Sequence, residues 1–149
     1  MKKEEILEYQ QNYVNWLDSL QDLPEEKALA PYKEGKWSPN EIVMHLGEWD
    51  RFTLEQRIPN MREGEKFESF PNFEAFNEKA AARAHEQTFK ETLSYAKQQR
   101  QSIIEHLQAI DEIEWDKVFY IGEHEVSIRS YFTDFIDHDN HHKKQILHK

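Results

Sequence analysis

At 149 residues, with 29 acidic against 19 basic side chains and a formal net charge of −10, the chain has the length of one domain and a charge that repels nucleic-acid backbones and anionic membranes. It has no cysteine, which excludes disulfides, thiolate metal ligands and a cysteine nucleophile of its own. Four glycines and five prolines, set among abundant Glu, Lys, Gln, Ala and Leu, predict an all-α protein.

No linker, repeat or low-complexity tract divides the sequence, so residues 1–149 are expected to form a single domain. The start, Met1 to Glu8, follows two lysines with two glutamates and leads into no long apolar run. Neither a signal peptide nor a membrane span is expected, and the chain reads as cytoplasmic.

The first apolar stripe is Ile6, Gln10, Tyr13, Leu17 and Leu20, stepping by three or four as one helix face requires, with Pro24 as its stop. Ser38-Pro39-Asn40-Glu41 is a capping box with proline at the first helical position. It opens a second helix with Ile42, His45, Trp49 and Phe52 inward, expected to stop near Ile58, before Pro59. Residues 59–71, ending at Pro71, read as a loop. A third helical stretch begins near Asn72 with Phe73, Phe76, Ala80 and Ala84 inward. A second capping box at Thr88-Phe89-Lys90-Glu91 predicts a kink or restart before Phe89, Leu93, Ala96, Arg100, Ile103, Leu107 and Ile110. Residues 111–126 break the helical period and, around Gly122, predict a short hairpin or an ordered loop. Ser127 reads as the N-cap of a last helix with Ile128, Tyr131, Phe135, His138, His142 and Gln145 inward. Four amphipathic stretches predict a four-helix bundle.

His45, His138 and His142 all fall on inward stripes. Four residues of helix amount to about 40° of rotation and roughly 6 Å of rise, so His138 and His142 project from one face. Such a pair supplies two metal ligands, with His45 as candidate third. Two accounts stand on spacing alone. Inward histidines also occur as hydrogen-bonded core residues, and His138 and His142 lie where a helix C-terminus favours imidazolium. Against the second account, an apolar interior accepts three imidazoles only if their ring nitrogens find partners, and one shared cation satisfies a nitrogen of each. His141 points about 60° away from the His138 face. His85 and His106 lie beside their stripes, His148 lies near the end, and His124 reaches the site only if its segment folds over it. Trp49 is a candidate cavity wall, Asn77 and Tyr131 candidate hydrogen-bond partners, and Arg100 a candidate carboxylate grip or ion-pair partner.

The run His138-Asp139-Asn140-His141-His142-Lys143-Lys144-Gln145-Ile146 resembles the closing motif of DinB-like (DinB/YfiT) proteins, His-x-x-x-His-x-x-Gln-Ile. Trp37-Ser38-Pro39-Asn40-Glu41-Ile42-Val43-Met44-His45-Leu46 is similar to their second-helix motif, and Phe73-Glu74-Ala75-Phe76-Asn77-Glu78 to a central run of many members. The resemblance implies an up-down-down-up four-helix bundle, a homodimer, and a divalent ion, zinc or nickel, on His45, His138 and His142. It implies several activities. One is thiol S-transfer with a low-molecular-weight thiol such as bacillithiol or mycothiol, acting on small electrophiles. Another is metal-dependent hydrolysis, for which Glu48 or Asp139 are candidate bases. A third reading is a non-enzymatic small-molecule-binding or stress protein. The expected partner is a small molecule, with no nucleic acid and no membrane.

Overall fold

The computed structural model describes residues 1–69 and 72–147; Pro71 and His148 lie outside the described residues. Helix α1 (Lys3–Ser19) gives way to a 3-10 turn over Leu20–Asp22, so its α-geometry ends before Pro24 is reached. A single turn, α2 (Glu25–Ala28), follows. Both predicted capping boxes form. Ser38 Oγ accepts from the Glu41 N–H at 3.2 Å while the Ser38 N–H donates to Glu41 Oε1 at 3.1 Å, starting α3 (Pro39–Phe52). Beyond Phe52 the chain keeps turning as a π-helical turn, Thr53–Arg57, and a 3-10 turn, Ile58–Asn60, so it stays helical to about the expected stop.

Where a kink or restart was expected, the chain restarts. Helix α4 (Phe73–Ala84) ends, and Thr88 with Glu91 caps a separate α5 (Phe89–Ala109). Ser127 Oγ accepts from the Ser130 N–H at 3.1 Å at the start of α6 (Ile128–Leu147). The irregular segment resolves into a hairpin, β2 (Phe119–Ile121) and β3 (His124–Val126), turning at Gly122 with φ +61°. The 59–71 loop contributes β1 (Lys66–Phe67), parallel to β2, giving a sheet of order β1-β2-β3.

Side-chain contacts fix the helix directions. Asn40, at the start of α3, donates to the carbonyl of Ala84 at the end of α4, and Phe52 meets Phe76. Helix α4 therefore runs back along α3, returning the chain to the end where α3 began. Helix α5 then runs parallel to α3: Gly47 lies against Ala96, and Asp50 pairs with Arg100. Against α1 it is antiparallel, with Lys3 on the carbonyl of Ile110, Gln10 on Arg100 and Asp18 on Lys97. Helix α6 is antiparallel to α3 (Thr53 with Tyr131, His45 with His142) and parallel to α1 (Met1 with Arg129, Tyr13 with Lys143). The four long helices are thus up, down, down, up, with α4 laid on the outside of α3.

Two large apolar clusters form most of the core among the described residues, with a small third one of Met44, Ala80 and Ala84 between α3 and α4. One large cluster gathers Trp115, Phe119, Leu107, Phe132 and Ile128 beneath the hairpin. The other gathers Leu17, Ile42, Leu46, Phe89 and Leu93. Arg100 is fully buried against a member of each large cluster, its guanidinium carbon 3.5 Å from the Tyr13 ring centre and 4.8 Å from that of Phe135. No helix among the described residues is long and apolar enough to cross a membrane.

Candidate metal centre

His45 sits on α3 between the buried Met44 and Leu46, on the face turned to α6. Antiparallel packing brings that face against the one from which His138 and His142 project. The ring centres lie 5.5 Å (His45–His138), 4.9 Å (His45–His142) and 4.7 Å (His138–His142) apart. Taking one ligand nitrogen from each, all three lie within 4.8 Å of one another. His45 and His142 are buried and His138 nearly so.

Their surroundings keep the rings neutral. Burial pushes His45 down from 6.5 to about 3, helped by His142 and His138; the nearby Asn77 side chain opposes the shift. That approach falls short of a well-aligned hydrogen bond, because Asn77 Oδ1 and His45 Nδ1 both lack a partner among the described residues. Burial, followed by His142, takes His138 to about 4, and burial also lowers His142. His142 Nδ1 donates to Gln145 Oε1 at 2.8 Å, which leaves its Nε2 lone pair available. His138 Nδ1 is buried and without a partner. A set of neutral, buried imidazoles with unmatched nitrogens fits a borderline divalent cation such as zinc or nickel, which prefers such donors.

The three histidines form part of the wall of a cavity of about 770 Å³. Trp37, Trp49, Phe73, Tyr131 and Phe135 give it an aromatic lining. Trp49 and Phe73 approach at 5.8 Å, and Trp37 stands 5.2 Å from His45. Trp49, Asn77 and Tyr131 therefore line the cavity, as their stripes allowed. Tyr131 shares a 3.2 Å hydrogen bond with Thr53 Oγ1.

Other expectations are corrected. Phe73 is half exposed rather than core, because α4 begins over the cavity mouth. Neither candidate base reaches the cavity. Glu48 binds Arg83 at 2.6 Å and the Tyr95 hydroxyl at 3.2 Å on the α4–α5 side of α3. Asp139 pairs with Arg100 at 2.7 Å, and Arg100 also grips Asp50 at 2.9 Å and Gln10 at 2.8 Å, so it is an internal ion-pair partner and no substrate grip. His85 meets Glu41 at 3.5 Å on the surface.

The structure also brings to the cavity residues that spacing left conditional or set aside. The hairpin folds over the site and brings His124 and Glu125 to the cavity, α6 adds Asp134, and His141 lies on the wall despite its 60° offset, 5.1 Å from His142. The polar run His124-Glu125 beside Gly122 was the available signal for the hairpin's part.

No curated protein matches the sequence. Solved structures share the architecture. One is YfiT from Bacillus subtilis, described as a probable metal-dependent hydrolase with an unusual four-helix bundle topology. It is 13% identical with a TM-score of 0.79, over 97% of this chain and 83% of that one. A Streptococcus pneumoniae protein is 13% identical with a TM-score of 0.68 (98% and 92% covered). A Clostridium difficile 630 protein, also 13% identical, gives 0.69 (97% and 96%). At such identity these likenesses speak for the fold alone. The sequence profile of the DinB superfamily matches residues 8–146, from α1 to the end of the closing motif. With the fold in agreement, the chain belongs to the DinB superfamily.

Proposed function

We propose that the protein is a divalent-metal-dependent enzyme that acts on a small molecule in the cavity, with zinc or nickel held by His45, His138 and His142. The observation that carries this reading is the convergence of three neutral imidazoles, two buried and one largely so, two of them with an unmatched Nδ1, on the wall of that cavity. When bound, an ion with only three protein ligands supplies an open position that lowers the pKa of a thiol or a water. The chain's own part is to exclude bulk water with Trp37, Trp49 and Phe135, and to offer the Asn77 amide and the Tyr131 hydroxyl as orienting groups.

Thiol S-transfer to a small electrophile is the first reading. A thiol ionised at the open position needs no carboxylate base, and Glu48 and Asp139 are both committed to arginines. The sulfur must come from a cosubstrate, since the chain has no cysteine. Hydrolysis is the second reading, favoured by the shared fold with YfiT, which is described as a probable metal-dependent hydrolase. A homodimer belongs to the same proposal and is read by light scattering. Nucleic acid and membranes are disfavoured as partners by the net charge of −10.

The test is metal content by inductively coupled plasma mass spectrometry on untagged wild type and His138→Ala. About one ion per chain in the wild type, lost in the variant, is expected. No ion after reconstitution with zinc and nickel would sink the proposal. Thiol conjugation to a panel of electrophiles, against hydrolysis in thiol-free buffer, then separates the two reactions.

A further inference from the structure

We propose that the cavity selects, as its small-molecule substrate, an organic cation, a flat apolar molecule bearing a protonated amine, over an anion of the same shape. The inference rests on the reading above for where reaction would occur, but its argument comes from other residues of the same cavity.

Glu125 on β3 and Asp134 on α6 line the cavity and are exposed, so they stand at its margin. Neither carboxylate makes a hydrogen bond or an ion pair among the described residues, unlike Glu48, Asp50 and Asp139, which are committed to Arg83 and Arg100. Among the described residues no lysine or arginine lines the cavity; its remaining ionisable groups are Tyr131, His124, His141 and the three central histidines. In the metal-free protein an entering anion would therefore meet two negative charges with no cationic side chain beside them, inside the field of a chain with ten excess acidic groups.

An ammonium group meets the opposite. It gains a carboxylate at the margin, while the apolar body that carries it meets the aromatic lining within. The volume of about 770 Å³ lies in the range that takes a drug-sized organic molecule. Such a ligand would lie with its amine towards Glu125 and Asp134 and its apolar body against the aromatic walls. Its far end would then be presented to His45, His138 and His142.

Two of the four tryptophans line the cavity, so their fluorescence reports binding. The full chain, stripped of metal with chelator, is titrated at pH 7.5 and low ionic strength with phenethylamine and, separately, with 3-phenylpropionate. Using metal-free protein keeps the result independent of whether an ion binds, so failure here and failure of the metal test are distinct outcomes. The amine is expected to bind about tenfold more tightly than the acid. That preference should fall to near unity in E125Q/D134N, whose exposed positions leave the fold intact by circular dichroism. Equal affinity, preference for the acid, no binding of the amine at millimolar concentration, or a preference that survives in E125Q/D134N would each overturn the proposal.

Discussion

His45 is kept neutral by burial more than by neighbouring charge. The unfolded chain protonates its histidines near pH 6.5, while in the fold His45 resists to about 3 and His138 to about 4. Between those limits the unfolded state binds more protons, so acidification favours unfolding. Each pH unit through which one of these rings stays neutral costs ~1.4 kcal/mol. Asp50 works the other way, since burial raises its carboxyl to about 7 despite Arg100. Comparison with a variant isolates the histidine effect. The metal-free wild type should lose more Tm between pH 7 and pH 4.5 than His45→Gln does; equal losses would show that His45 carries none of the pH sensitivity. Because the folded rings stay neutral, metal affinity should hold as pH falls and be lost only towards pH 4, where His138 takes up a competing proton; a tenfold loss already at pH 6 would contradict that. The convergence of the three histidines was legible because helical spacing put each on an inward stripe. The unusable bases were partly legible too: Asp139 lies about 100° from His138 around the helix, which turns it to another layer. His124 was legible only conditionally and Glu125 not at all, because only the tertiary placement of the hairpin brings them to the cavity.

Among the elements, α3 carries the strictest demands. Its start is fixed by Ser38 and Glu41, and its middle must let α5 approach closely. A Cβ on Gly47 would meet the Tyr95 ring at 3.0 Å and the Ala96 Cα at 3.3 Å. Ser38→Ala should cost ~1 kcal/mol through the lost cap, and Gly47→Leu ~1–3 kcal/mol through overpacking, both read by urea denaturation. A neutral Gly47→Leu would mean that the α3–α5 interface is looser than described. Both capping boxes could be read directly, since that signal is local. The direction of α4 could not, because it is set by Asn40 reaching Ala84 and Phe52 meeting Phe76, contacts between residues far apart in sequence.

For the molecule as a whole, Arg100 is the joint between all four long helices. From α5 it binds Asp50 on α3, Asp139 on α6 and Gln10 on α1, with Tyr13 stacked on its guanidinium. Burial disfavours its charge, but Asp139 and Asp50 outweigh that and hold it firmly protonated. Arg100→Met would strand two carboxylates in the core and should destabilise the protein by ~3–5 kcal/mol. A loss under ~1 kcal/mol in denaturant titration would mean that those carboxylates escape to water. The sequence hinted at this joint, since Gln10 and Arg100 are polar residues set in inward stripes, but spacing could not say that they meet. The candidate ligands His45, His138 and His142 stand on the two helices this joint clamps, whereas Phe73, Asn77, His124 and Glu125 come from α4 and the hairpin, outside the clamp. The protein thus divides labour along its chain. Drift in the peripheral segments can change what is admitted without touching what would do the chemistry, which gives the scaffold a way to acquire new substrates one loop at a time.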